Sequence, residues 1–342
     1  MAEKADVVIL TALGVEHAAI YGQLNSPQVI KHPEGTVYDV GIICSNGETF
    51  KVALVQIGMG NVGAAQECER AIAFFHPTYA FFVGVAGGIK DVKLGDVVAS
   101  TKVYYYEPGK ADEPYKPRFD FGEASSSLIH LARLAKRKGE WTARIEYADG
   151  STAKVAPDVF IEPIVSSEKL VTSLKSEIYK NVTAYMSDAV AFEMEGFGFF
   201  TAVKRNEGVK GLDIRGISDL LAGKSDADAT GLQGRASLHA AAFAIELLYL
   251  LLDKPPFSKW DALYKLTVRL YPKGPADRSI WERAGGDMST LDLSGSGKGA
   301  WFAAIRELSN GGGGLITPKR LIETLQEDYP GNEELEQLAS GM

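Results

Sequence analysis

What most constrains this 342-residue chain is an alternation that stops. Up to about residue 252, short β-branched apolar runs alternate with helical stretches; from residue 258 onward the pattern is helical only. Val7–Leu10, Val37–Ile43, Phe50–Gln56, Tyr79–Val85, Val97–Ala99 and Val159–Val165 read as strands, and the unbroken runs suit strands buried on both faces. Helices are expected up to Leu24, up to about Phe75, over Leu128–Lys138 and over Thr230–Asp253. Such alternation predicts a three-layer α/β domain around a central sheet. The break falls at Asp253-Lys254-Pro255-Pro256, where paired prolines stop a helix and stiffen the connection. The expected division is 1–253, a linker at 254–258, and a helical domain at 259–342. In that last part Trp260, Leu263, Tyr264, Thr267 and Tyr271 recur at helical spacing, and Thr317-Pro318 reads as a helix cap followed by a first-turn proline.

Charge and cysteine usage exclude several classes. A formal net charge of −8 argues against a sequence-independent grip on nucleic acid, which needs a basic face. Cys44 and Cys68 are too few for a zinc site or a disulfide scaffold. Met1-Ala2-Glu3-Lys4-Ala5-Asp6 lacks the basic-then-apolar pattern of a signal peptide. The longest apolar run, Ala240–Leu252, contains Glu246 and is short for a bilayer span. A cytoplasmic protein without a membrane or nucleic-acid partner is the expectation.

Chemistry gathers in acids and glycines. Ile214-Arg215-Gly216-Ile217-Ser218-Asp219 is an apolar run ending in a carboxylate, which places an acid at the carboxyl end of a strand. Ligands of open α/β sheets sit at that edge, and acids there are costly to bury unless paired or used. Phe192-Glu193-Met194-Glu195-Gly196 is a second acidic stretch; extended, it would point Glu193 and Glu195 the same way with Met194 opposite. Glu16 lies on the turn after the first strand. Read singly, Asp219 is equally a helix cap, Glu16 a first-turn acid, and Glu193 with Glu195 a solvated strand face. Gly58-Met59-Gly60 and Gly84-Val85-Ala86-Gly87-Gly88 each follow a strand, where bare backbone can approach a sugar, phosphate or base. Neither fits a dinucleotide or P-loop spacing. Gly297-Lys298 is a decoy, since Asp292 and Gly299 stand where a P-loop needs glycine and Ser or Thr. His17, His32, His76, His130 and His239 share no metal-ligand spacing, and residues 104–127, with three prolines, read as a long irregular loop.

In order, Thr11–Glu16, Gly58–Ala65, Gly84–Gly88 with Gly95-Asp96, Phe192–Glu195 and Arg215–Asp219 resemble the nucleoside phosphorylase superfamily, nearest to its methylthioadenosine/adenosylhomocysteine nucleosidase branch, over residues 5–252. The resemblance implies a three-layer α/β/α domain with a central mixed sheet that cleaves a purine–ribose bond without a metal or organic cofactor. It implies that Asp219 protonates the purine with support from Ser218, and that Glu16 activates water. By the same resemblance Glu195 takes the ribose hydroxyls over Met194 and beside Glu193, Met59, Val85 and Gly87 line the sugar, and Leu170 and Val171 line the base. The phosphorolytic branch places arginines in the first glycine turn and around the later glycine loop; Thr11–Glu16 and Gly84–Gly88 contain none, which favours water over phosphate. The departure is Ser166-Ser167-Glu168, where the nucleosidases have Ser-Gly-Asp. Lys102, Lys110, Lys116 and Arg118 read either as a solvated loop or as positive charge for a 5′-phosphate chain.

Leu270-Tyr271-Pro272, Ile280–Arg283, Leu291–Gly295, Ala300–Phe302 and Tyr329–Asn332 resemble the first type of effector-associated domain over 262–338, a small all-α death-fold-like adaptor. It implies homotypic contact with the same domain on a partner protein and, with the first resemblance, a homo-oligomer. The combined expectation is a purine N-ribosyl hydrolase acting as a regulated defence effector on an adenine nucleotide such as ATP. A salvage nucleosidase or phosphorylase, and a nucleotide sensor without turnover, are the alternatives.

Overall fold

The computed structural model describes residues 3–45, 48–110, 112, 116–145, 147, 156–171, 173–220, 229–252, 259–291, 293, 296–309 and 311–341. The expected linker at 254–258, the turn residues Asn46 and Gly47, and Asp292 of the P-loop decoy lie outside them. The chain forms two compact units, Met1–Asp253 and Lys254–Met342.

In the first unit the strands are β1 (Val7–Thr11), β2 (Asn25–Lys31), β3 (Val37–Ser45), β4 (Glu48–Gln56), β5 (Tyr79–Gly88), β6 (Val97–Ala99) and β7 (Lys102–Tyr105). They continue with β8 (Gly109–Lys110), β9 (Lys116–Pro117), β10 (Asp120–Glu123), β11 (Val159–Phe160), β12 (Ile164–Ser166), β13 (Ala191–Glu193) and β14 (Lys210–Leu220). The helices are α1 (Gly14–Tyr21), α2 (Asn61–Phe75), α3 (Ser126–Lys138), α4 (Glu177–Tyr185), α5 (Gly196–Arg205) and α6 (Ala229–Leu252). The mixed sheet runs β10-β7-β12-β13-β5-β1-β4-β3-β2, with β14 against β5 and β6. β1 explains the three layers. Val7 and Ile9 pack on one face with Ala132 of α3 and Phe243 of α6, while Val8 and Leu10 pack on the other with Cys68 of α2 and Phe199 of α5. A strand covered on both faces must be apolar throughout, and Val7–Leu10 is.

β5 organises the site. Its first half lies between parallel β1 and β14; at Gly87 and Gly88 it meets antiparallel β13 instead. Residue pairs Ile217↔Ala86 and Asp219↔Gly87 leave Ser218 as the extra residue of a β-bulge. Bulges re-aim side chains, and this one lies where the sequence places its acid.

Several expectations are corrected. Val159–Val165 is two strands, β11 on β6 and β12 between β7 and β13; Pro163, which cannot donate to a ladder, stands between them. Residues 104–127 hold strand structure: β10 pairs back onto β7 at the sheet edge, and β8 pairs with β9. Asp219 is the last but one residue of β14. The apolar run Ala240–Leu252 belongs to a longer helix, and Leu232–Leu252 is apolar and long enough to cross a bilayer by composition alone. Most of it is buried in the unit's core, so its hydrophobicity is spent on packing.

The second unit is helical: α7 (Lys259–Leu270), α8 (Ile280–Arg283), α9 (Gly297–Ser309), α10 (Pro318–Asp328) and α11 (Glu333–Gly341). Trp281 and Trp301 meet edge to face, 6.4 Å apart, in a core with Leu263, Leu321, Leu325 and Leu335. The Trp301 indole N–H donates to the Tyr271 carbonyl at 2.8 Å. Thr317 caps α10 by accepting from the Arg320 amide at 3.2 Å.

Candidate active site

The centre of the site is a buried guanidinium. Asp213 and Arg215 are two apart in β14, so both project to the same side of the strand. Arg215 Nε donates to Asp213 at 2.7 Å, Nη2 to Glu193 at 2.7 Å and Nη1 to Glu195 at 3.1 Å. Its other face lies 4.3 Å over the Phe82 ring of β5. Burial works against the Arg215 charge, but Asp213, Glu193, Glu195 and Glu16 outweigh it and keep the side chain protonated.

Glu16 joins from α1. One carboxylate oxygen accepts from the amides of Ala12 and Leu13, both at 2.8 Å, which is the reach-back half of a capping box. The other accepts from Val85 of β5 at 2.8 Å. Helix capping and site assembly are here one set of bonds. Burial pushes the Glu16 carboxyl above its ordinary range, against the pull of Arg215 and the amides. Gly84 makes the approach possible. A Cβ there would stand 2.8 Å from both the Arg215 Nη1 and the Glu16 Oε1 atoms.

β13 ends at Glu193, so Glu193 and Glu195 do not share a strand face as expected. The chain bends at Met194, and Glu193 turns inward to accept from the amides of Glu195 and Gly196 at 2.6 Å, starting α5. Glu193 therefore supports the site from within. Glu195 faces Arg215 on one side and accepts from the Gly60 amide at 3.1 Å on the other. Burial pushes its carboxyl up to about 7, with Glu193 and Glu16 adding to the rise and Arg215 opposing it. Asp219 completes the edge: its Oδ1 would be 3.2 Å from a Cβ on Gly87, and the Ser218 hydroxyl donates to it at 3.3 Å. Glu16 and Asp219 thus flank one glycine-rich segment, Val85–Gly87, while Glu195 closes it from the β13 side.

The base side is looser. Val171 is buried with Ile89, Val165 and Phe192, whereas Leu170 is 71% exposed, so the two do not share a wall. Of the residues expected at the sugar, Met59 is 68% exposed and Met194 half-buried. Tyr105 and Phe197 stack 4.2 Å apart, and the Tyr105 hydroxyl donates to Glu168 at 3.3 Å. Of the basic loop residues, Lys102 is paired with Asp188 at 3.1 Å, and Lys110 and Lys116 with Asp112 at 3.1 and 2.9 Å. Among the described residues no group of His, Cys, Asp or Glu is arranged to hold a metal ion.

Sequence reasoning missed three polar residues. Arg215 and Asp213 left a signal, two charges at strand spacing inside an apolar run. Asn61 left none: its Oδ1 accepts from the Ser166 hydroxyl at 3.0 Å and the Gly198 amide at 2.8 Å, a junction of three elements remote in sequence.

Comparison with known families decides the lineage, for residues 6–252 match the family model of the Phosphorylase superfamily. The chain belongs to the phosphorylase superfamily. This superfamily member carries a second match, Effector-associated domain 1, over residues 257–342. It is 27% identical over 232 residues to ATP nucleosidase Cap17 of Escherichia coli (strain KTE188), covering 62% of this chain and 45% of that protein. It is 29% identical over 182 residues to the Death domain-containing ATP nucleosidase of Amphimedon queenslandica, covering 48% and 32%. The chain therefore spans less than half the length of these curated relatives. Among solved structures, the 5′-methylthioadenosine/S-adenosylhomocysteine nucleosidase of Neisseria meningitidis superposes with a TM-score of 0.58 at 22% identity, over 71% of this chain and 98% of that one. The likeness is one of fold.

Proposed function

We propose that this superfamily member is an N-glycosidase that hydrolyses the bond between adenine and ribose in an adenine nucleotide, ATP first. The observation that carries the reading is the flanking of Val85–Gly87 by two carboxyl groups, Glu16 on the Val85 amide and Asp219 beside Gly87. Cleavage passes through an oxocarbenium-like state, which needs a proton for the departing base and a nucleophile for the sugar. Glu16, its pKa raised by burial, takes a proton from water as the water oxygen bonds to the anomeric carbon. The carbon–nitrogen electron pair leaves with the purine, whose ring nitrogen is protonated by Asp219. Glu195 accepts from the ribose hydroxyls. Water rather than phosphate is favoured because Arg215 is already ion-paired with three carboxylates, so an inorganic anion would meet Glu16 and Glu195 uncompensated.

ATP as substrate is supported by the two relatives named as ATP nucleosidases. Residues 257–342 act, in this proposal, as a recruitment module that meets the same domain on a partner protein and makes the enzyme a regulated defence effector. The chain then works in the cytoplasm as a homo-oligomer.

The test is base release, followed by chromatography, from ATP, AMP, adenosine, inosine, methylthioadenosine and adenosylhomocysteine, with and without phosphate. Adenine together with intact ribose triphosphate, unaffected by phosphate, is the expected result. Release confined to methylthioadenosine and adenosylhomocysteine would replace the proposal with a salvage nucleosidase. Ribose 1-phosphate formed only with phosphate would make the enzyme a phosphorylase.

A further inference from the structure

Two carboxylates occupy one edge of the Arg215 guanidinium, the Nε–Nη2 edge that a single carboxylate ordinarily takes with both its oxygens. Asp213 uses only Oδ1 there, and Glu193 only Oε2. Their second oxygens, Asp213 Oδ2 and Glu193 Oε1, are buried and have no hydrogen-bond partner among the described residues. Each lies 3.0 Å from the point where a Cβ on Gly196 would stand, so they approach the same spot against the first residue of α5. Neither oxygen exposes surface to a water-sized neighbour. Two ionised carboxylates with bare oxygens in such a place would leave two acceptors empty and like charges adjacent. A proton removes both faults.

We propose that Asp213 and Glu193 hold one proton between them and through it clamp Arg215 in the orientation that serves Glu195 and Glu16. Asp213 is thereby a positioning residue of the site. The charged groups that face the pair are Arg215 on β14 and Glu195 at the start of α5; Glu16 on α1 acts on Arg215. With the proton in place the pair carries one negative charge toward the Arg215 cation; without it, a second is added in the same dry volume. Burial, with Glu193 and Glu195 adding and Arg215 opposing, pushes the Asp213 carboxyl up to about 7. A carboxyl raised on folding contributes stability that is complete below its unfolded pKa and lost as pH rises through the folded one. The pair therefore supports the fold best in acid and releases it across neutrality.

The experiment has one arm without substrate and one with it, and only the second rests on the proposed N-glycosidase reading. In the infrared at about pH 6, the buried carboxylic-acid carbonyl absorption is expected to be weaker by one group in Asp213→Asn, which carries an amide in place of the shared proton, than in the full chain, any contribution of Glu195 and Glu16 being common to both. Melting temperature compared at about pH 5 and about pH 8 is expected to fall more for the unmodified protein than for Asp213→Asn. In turnover, Asp213→Ala should lose about 100-fold by letting Arg215 shift. Asp213→Asn should restore most of that loss and hold its rate toward alkaline pH, where the unmodified enzyme declines. Acid carbonyl absorption of equal strength in the two chains, or equal pH dependence of melting in both, overturns the shared proton. An Asp213→Asn enzyme as slow as Asp213→Ala would make Asp213 an ionised counter-ion, which also overturns it. If no substrate is turned over, the proposed function fails while the infrared and melting results still decide the proton.

Discussion

In the proposed site, the sugar side and the base side are built on opposite plans. On the sugar side, Glu16, Glu193, Glu195, Asp213 and Arg215 are all buried and are bonded to one another or to backbone amides of β5, of the turn before α1 and of the start of α5. On the base side, Leu170 is largely exposed and Tyr105 holds Glu168 by a single bond of 3.3 Å. The difference teaches where chemistry and selectivity are stored. A charge network in a dry interior acts only if every member is fixed, because an unpaired buried charge is expensive. An exposed wall can change its residues at little cost to folding, and so can be tuned to one base without disturbing the cleavage.

Asp219→Asn should break the comparison hardest. It stands at the junction of the two sides, in the bulge of β14 and only half-buried, so its loss should hardly affect folding. Turnover should drop on the order of 10²–10⁴-fold as the departing purine loses its proton. Steady-state rates with a melting curve check this; near-normal turnover in a folded variant would assign the acid elsewhere.

How much of this contrast is legible in sequence depends on what makes each residue visible. β1 and β5 are legible because strands covered on both faces become unbroken apolar runs. β2 is not: Asn25-Ser26-Pro27-Gln28 opens an edge strand whose side chains are mostly exposed, so no apolar signal marks it. The acids Glu16, Glu195 and Asp219 stand out because each follows or ends an apolar run. Asp213 and Arg215 sit within such a run, and their identity says nothing about whether the strand faces helix α5 or solvent. Only the pairing of β14 with β5, and of β5 with β13, brings them against Glu193 and Glu195. The inward turn of Glu193 follows from the start of α5, one residue after the strand was expected to continue.

A smaller effect should come from the packing that brings the sugar side together. Gly84→Ala would put a methyl group 2.8 Å from Arg215 Nη1 and from Glu16 Oε1, both held by several bonds and unable to give way. The cost should be about 1–3 kcal/mol of stability, typical of overpacking in an interior. Turnover should fall with it because the Glu16 bond to Val85 lies in the path of the shift. Denaturant unfolding and rates on the same sample test the point. A variant as stable and active as the parent would mean that the sugar side is less rigid than its bonds imply.

Leu170→Ala should have the smallest effect on the fold and is the sharpest test of the other plan. At 71% exposure its side chain has little packing to lose, so stability should change by less than about 0.5 kcal/mol. If the exposed Leu170 side chain gains its contacts only from a bound purine, KM for the nucleotide should rise about tenfold while kcat stays near the parent value, the signature of lost uniform binding. The opposite division, a fall in kcat at constant KM, would place Leu170 in the transition state and join the base side to the charge network. Unchanged KM and kcat would remove Leu170 from the site and leave Val171, buried with Ile89 and Phe192, as the aliphatic contact of that loop.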